Sequence, residues 1–322
     1  MLTAARSIKV DGVEIAKTPA VVPSFSSKGF IDVADIVETL SETITDCALF
    51  SAYDIAHGHI KSIPTYPAYL ILDSGGYETS KDSELSDTRM YNYVETPWSS
   101  AQLEQVLDKW GARQPTIAVS FDHPSQRMSV KEQVERAREL FKGRKFGREL
   151  LIKPHSRDAK RIDLSEVLGS VYDYRDFDVL GFTEKELGYS IFDRMVKIAQ
   201  IRTRLTEVGI SIPIHIFGSL DTVSTPLYFL AGADIFDGLT WLRYSYEDGR
   251  AVYQKNAAAL KYGIRINDQD IDPKIWADNY QSIVNMELAM RRYLKEKSFA
   301  SFKEHASFFE TSIQEVHAKL ED

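Results

Sequence analysis

The chain has 322 residues, 43% hydrophobic and 27% charged, enough to bury one large core, and its net charge of −8 argues against indiscriminate binding to nucleic acid. No run approaches the roughly 18 apolar residues that cross a bilayer, and the N-terminal MLTAARSIKVDGVEIAK lacks the apolar centre of a secretory signal, so a cytoplasmic protein with no membrane partner is expected. Cys47 is the only cysteine, which excludes an internal disulfide and a cysteine-built zinc cage and leaves a buried thiol as its expected state.

Eight short runs rich in Val, Ile, Leu and Phe recur along the chain, each closing on polar residues or glycine. In order they are PAVVPS near 19–24, CALFSAYD at 47–54, AYLILDSGG at 68–76, TIAVSFD at 116–122, ELLIKPHS at 149–156, FDVLGFTE at 177–184, IPIHIFGS at 212–219 and ADIFDGLTW at 233–241. Near-continuous apolarity means burial on both faces, the mark of a parallel sheet. The connecting segments carry helical periodicity: Val130, Val134, Ala137, Leu140 and Phe141 share one face, as do Ile191, Met195, Ile198, Ile201 and Leu205. Eight strand-plus-helix units predict an α/β fold, a closed (β/α)8 TIM barrel, over 1–265. An open doubly wound sheet is the alternative, but no Gly-x-Gly-x-x-Gly follows the first run. Beyond Trp241 two long helical patterns, about 273–297 and 299–320, predict a C-terminal helical extension, 266–322, packed on the barrel.

Charge is uneven within this frame. From Lys131 to Arg161 there are 11 Lys plus Arg against 5 Asp plus Glu. A solvated helix face is the simpler reading and a phosphate-contacting stripe the functional one.

Catalytic groups of a (β/α)8 barrel lie where strands end, and carboxylates dominate those positions here: Asp54, Asp73, Asp122, Glu184 and Asp237. Any one alone reads as a helix cap. Several at one mouth are costly unless a substrate or metal uses them. Two carboxylates about 5 Å apart across an anomeric carbon perform retaining glycosyl chemistry, one as nucleophile and one as acid/base. The pattern itself does not choose between a sugar hydrolase and a base exchanger.

The series LDSGGYE, AVSFDHP, IHIFGSLDT and ADIFDGLTWLR, with KTPAVVPSFSSKG before it, resembles the guanine transglycosylase superfamily from about Lys17 to Arg243. Its tRNA members replace guanine in a polynucleotide by a 7-deazaguanine. The resemblance implies Asp237 as the nucleophile that expels guanine and forms a covalent glycosyl enzyme, and Asp73 as the acid/base. It implies Asp122 as acceptor for the guanine edge, Ser74, Gly75 and Gly76 along base and ribose, and Tyr77 and Phe217 as the sandwich for the base. Gly181, Phe182, Thr183 and Gly218 complete the implied base-binding set, and Arg243 becomes a phosphate contact.

Departures from the family narrow the expectation. Its three cysteines and histidine that hold zinc are lacking, so no metal and no cofactor is expected. Its base-contacting glutamine on the fifth strand is replaced in LLIKPHSRD, which offers Lys153 or His155, and its Gly-Gly-Leu on the sixth by Gly181, Phe182 and Thr183. Without a zinc subdomain the chain looks more like the DNA-guanine transglycosylase branch, with a zinc-free tRNA enzyme as the alternative. A DNA or tRNA partner and a 7-deazaguanine base are the expected ligands, and an oligomer or partner protein is compatible with this reading. A non-catalytic partner subunit and a retaining glycosidase are the readings of another class.

Overall fold

The computed structural model describes residues 2–80, 93–123, 125–156 and 158–321. It opens on an antiparallel hairpin, β1 (Ser7–Val10) and β2 (Val13–Lys17), turning through Asp11 and Gly12 at φ 49° and 77°. Two successive residues at positive φ suit Asp-Gly and match the twist of the strands. Apolar periodicity gives no sign of this hairpin, although Asp-Gly itself is a turn signal.

Eight parallel strands follow: β3 (Ala20–Pro23), β4 (Cys47–Ser51), β5 (Tyr69–Asp73), β6 (Thr116–Val119), β7 (Gly147–Ile152), β8 (Val179–Thr183), β9 (Ile214–Phe217) and β10 (Ile235–Gly238). Each overlaps one of the eight apolar runs. From β4 to β10 each strand pairs with the next, and β10 returns to β3 with Asp237 opposite Val22. Between β3 and β4 the ring joins at the Ser24–Leu49 bridge, where the Phe25 N–H donates to the Leu49 carbonyl at 3.1 Å. With β3 flanked on both sides the sheet is a barrel and not a doubly wound sheet.

Side chains alternate across this wall. Val22, Leu49, Ile71, Val119, Leu151 and Ile235 fill the interior, and Ile8 of β1 joins them with Val10 and Ile15 beside it. The hairpin therefore plugs the N-terminal end of the barrel. A second, larger cluster lies between the strands and the surrounding helices, such as Val130–Phe141 and Ile191–Glu207. Ser129 and Glu132 form a capping box at the start of the first of these, satisfying two otherwise orphaned backbone donors.

After β10 a second hairpin, β11 (Ser245–Glu247) and β12 (Arg250–Val252), leads into the helices Gln254–Tyr262 and Asp268–Glu296. The long helix starts before Pro273, not at it, since Pro273 lies inside the helix. The expected helix from 299 is divided: a 3-10 turn runs Phe299–His305, Lys303 takes φ 52°, and the regular helix is Ala306–Glu321. A left-handed residue cannot continue a right-handed helix.

The extension is fastened to the barrel by polar anchors. Asn279 donates to the carbonyls of Trp241 and Tyr244, both at 2.5 Å, and accepts from the Tyr246 N–H at 2.7 Å. Arg291 donates to the carbonyls of Lys17 and Pro19. The long helix thus holds the exit of β10 and the entrance of β3 together. Among the described residues no helix is long and apolar enough to cross a membrane.

Candidate active site

A cavity of about 530 Å³ opens at the C-terminal ends of the strands. Of the residues singled out from the sequence, Asp73, Gly76, Tyr77, Asp122, Thr183, Phe217, Gly218, Asp237 and Arg243 line it. Ser74, Gly75, Gly181 and Phe182 do not, and each has a packing reason. The Ser74 hydroxyl accepts from the Asp122 N–H, and its carbonyl accepts from Trp98 Nε1 at 2.7 Å. Gly75 turns at φ 90°, and a Cβ there would meet Trp98 and Tyr53 at 2.8 Å. Gly181 faces Glu149 and Phe217 inside the barrel, and Phe182 is fully buried between sheet and helices. These four pack in the walls behind the cavity lining.

Asp237 is the third of the four residues of β10 and is buried to 5% exposure. Its Oδ2 accepts from Ser24 Oγ at 2.7 Å and its Oδ1 from the Gly218 N–H at 3.0 Å. Below it, His215 Nε2 approaches Oδ1 to 3.2 Å. Neighbours from β3, β9 and the turn after β9 therefore fix the carboxylate at the floor of the cavity.

Asp73 ends β5 and accepts only the Gly75 N–H, at 3.0 Å, among its described hydrogen bonds. Burial first, then the charge of Glu78, pushes its carboxyl from an ordinary 3.8 up to about 8; the Gly75 bond opposes this, and Asp122 and Asp237 add to it. Glu78 stands behind it, accepting from the hydroxyls of Ser26 and Ser51, and burial with the Asp54 charge raises it to about 7. Asp54 lies outside the cavity, held by Ser27 and raised to about 6 chiefly by burial. Glu184 is at the rim, tied to Arg194 at 2.7 Å and the Tyr228 hydroxyl at 2.6 Å.

Asp122 behaves oppositely. Burial alone would raise it, but Lys153 at 3.2 Å and Arg127 at 2.7 Å more than offset burial and hold it below the usual carboxylate range. Lys153 also reaches Glu186 at 2.8 Å and the Thr183 hydroxyl at 2.8 Å. Of the two residues offered in place of the family's glutamine, Lys153 lines the cavity and His155 does not. The site thus sets a carboxyl pushed up to about 8, Asp73, near one held below the ordinary carboxylate range, Asp122. Unlike pKa values in neighbouring carboxyls are how acid and acceptor roles are divided.

Tyr77 and Phe217 supply the flat surfaces. Lys28 anchors the Tyr77 loop by donating to the carbonyls of Tyr77 at 2.8 Å and Ser80 at 2.7 Å, with its ammonium 4.4 Å from the Tyr77 ring centre. Arg243 donates to the Tyr77 hydroxyl at 3.2 Å. Phe217 lies against His215 at 3.9 Å between ring centres.

Glu78, Arg127, Glu149, Glu186 and His215 are given no role by the sequence reading. His215 is an ionisable residue between Ile214 and Ile216, and Glu149 follows Arg148 at the start of an apolar run, but neither pattern names a partner. No protein-family model matches this chain, and no curated protein matches it.

Proposed function

We propose that this protein is a base-exchange transglycosylase that replaces guanine in a polynucleotide, DNA in preference to tRNA, by a 7-deazaguanine. The observation that carries the reading is one cavity holding Asp237, fixed at its floor, and Asp73, a carboxyl that burial pushes up to about 8, with Asp122 and two aromatic surfaces beside them. An Asp237 oxygen attacks the anomeric carbon while the bond to guanine breaks, its electron pair leaving on the base and the Asp73 proton following. The incoming base then gives its ring N–H proton to Asp73 as its nitrogen displaces Asp237. Because the target must reach a barrel mouth, single-stranded or locally opened polymer is the substrate.

Asp122 is the acceptor for the guanine edge in this scheme, and Arg127 and Lys153 keep it ionised for that task. DNA is preferred on the sequence ground that the zinc-binding cysteines of the tRNA enzymes are missing. A glycosidase reading is weaker here because Trp241, in the short helix Thr240–Arg243 after β10, is fully buried edge-on to Phe25 and offers no sugar platform. The test is incubation with radiolabelled guanine and single-stranded DNA, duplex DNA or tRNA. Label entering DNA is expected, label entering only tRNA moves the substrate, and label entering neither sinks the proposal.

A further inference from the structure

His215 and Glu149 are each 0% exposed inside the barrel beneath the cavity, and the exchange chemistry above gives neither a task. Their geometry is specific. His215 Nδ1 hydrogen-bonds Glu149 Oε1 at 2.8 Å, and Nε2 lies 3.2 Å from Asp237 Oδ1, within ion-pair distance but without the alignment of a hydrogen bond. A neutral imidazole carries one N–H and one lone pair, and a lone pair facing a carboxylate oxygen is repulsive. A carboxylate bonded at Nδ1 and a second one 3.2 Å from Nε2 together favour the imidazolium, with a proton on both nitrogens. The fold makes room for this arrangement at the expense of a side chain: a Cβ on Gly181 would come within 2.8 Å of both Glu149 Oε1 and Phe217 Cε2. Phe217 covers the imidazole from the cavity side.

We propose that Glu149 and His215 form a buried positioning pair that holds the Asp237 carboxylate in place and balances its charge as it passes between anion and glycosyl ester. The inference rests on Asp237 being the nucleophile. With Glu149 and Asp237 ionised and His215 protonated, the set carries one negative charge. When Asp237 becomes an ester that charge leaves with the electron pair on the departing base, and Glu149 still neutralises the imidazolium. Without Glu149 a buried cation would face a neutral ester, a costly state in a low-dielectric interior. Burial pulls the His215 pKa down, but Glu149 and then Asp237 outweigh it and raise it to about 9, in keeping with the geometry.

The experiment uses full-length protein labelled with ¹⁵N-histidine, with the His215 signals assigned by their loss in His215→Gln. At pH 7.5 both His215 nitrogens should resonate as protonated imidazolium, and Glu149→Gln, which keeps the shape and removes the charge, should convert the ring to the neutral form. Exchange by Glu149→Gln should fall at least tenfold in kcat with KM for the base unchanged, in a protein that melts cooperatively. A neutral His215 in the unaltered protein, or a folded Glu149→Gln with full kcat, overturns the proposal. Should the unaltered protein exchange no base into any polymer, the transglycosylase reading and the nucleophile assignment fall together, and this role falls with them. An imidazolium seen in that inactive protein would mark the pair as a structural ion pair alone.

Discussion

Two carboxyls in one cavity act differently because their surroundings differ, and this fixes what each substitution should do. Asp237 accepts from Ser24 and Gly218 and sits over His215, so Asp237→Asn is expected to abolish exchange and any denaturant-stable protein–polymer adduct while retaining a cooperative melt. An adduct persisting in that variant would move the nucleophile to Asp73. For Asp73, whose folded pKa of about 8 lies far above its ordinary 3.8, the native state holds a proton that the unfolded chain has released between those values. Its contribution to stability is therefore full below about 4 and is lost as pH rises through about 8. Asp73→Asn should leave Tm unaltered near pH 4 and raise it at pH 8.5 by on the order of 5 °C, since a pKa raised by about 4 corresponds to at most about 5 kcal/mol. In the unaltered protein the adduct-forming step should slow as pH rises through about 8, because the acid loses its proton. A flat profile between pH 7 and 9 would remove Asp73 from that role.

At the level of elements, the eight apolar runs were sufficient to locate all eight barrel strands, because burial on both faces leaves a continuous signature that no turn interrupts. The carboxylates at their ends were legible for the same reason: a polar residue closing an apolar strand stands out. Glu149 and His215 were not, since an ionisable residue among apolar ones has no meaning until its partner strand is known, and Glu149 on β7 meets His215 on β9 across the barrel interior over Gly181 of β8. The short hairpins were missed because three to five residues are too few to show a period. The long helix Asp268–Glu296 has the clearest element-level consequence. Asn279, 0% exposed, satisfies two carbonyls and one N–H in the segment after β10 that carries Arg243. Asn279→Ala removes the partner of two buried groups and one half-buried one and should cost about 2–4 kcal/mol. Arg243 should then lose its fixed approach to Tyr77, and the KM for polymer should rise more than kcat falls. A variant with ordinary stability would show that the extension only covers the barrel.

For the whole molecule the proposed function raises the question of how a chain of net charge −8 would engage a polyanion. The basic segment from Lys131 to Arg161 does not present its excess as a bare stripe. Arg138 pairs with Asp173 and Asp176, Arg144 with Asp108 and Arg148 with Asp178, all acids from outside the segment. Lys153 is turned into the cavity beside Asp122 and Glu186. Much of the local excess is thus cancelled by neighbours that a linear count does not see. Arg243 lines the cavity mouth, against the hydroxyl of Tyr77. A cation that contacts a phosphate displaces condensed counterions, so its removal should flatten the dependence of log K on log salt by about 1. Arg243→Ala is expected to do so with single-stranded DNA and to weaken all sequences alike. Reversing the exposed Lys131, Lys145 and Lys160 together should leave the slope unaltered, and a flatter slope in that triple variant would restore the basic segment as the polymer path. Running the titration with DNA and RNA of one sequence also tests the substrate, because a 2′-hydroxyl is the feature that separates them. Tighter binding to DNA is the expected result, and a clear preference for RNA would assign the exchange to tRNA.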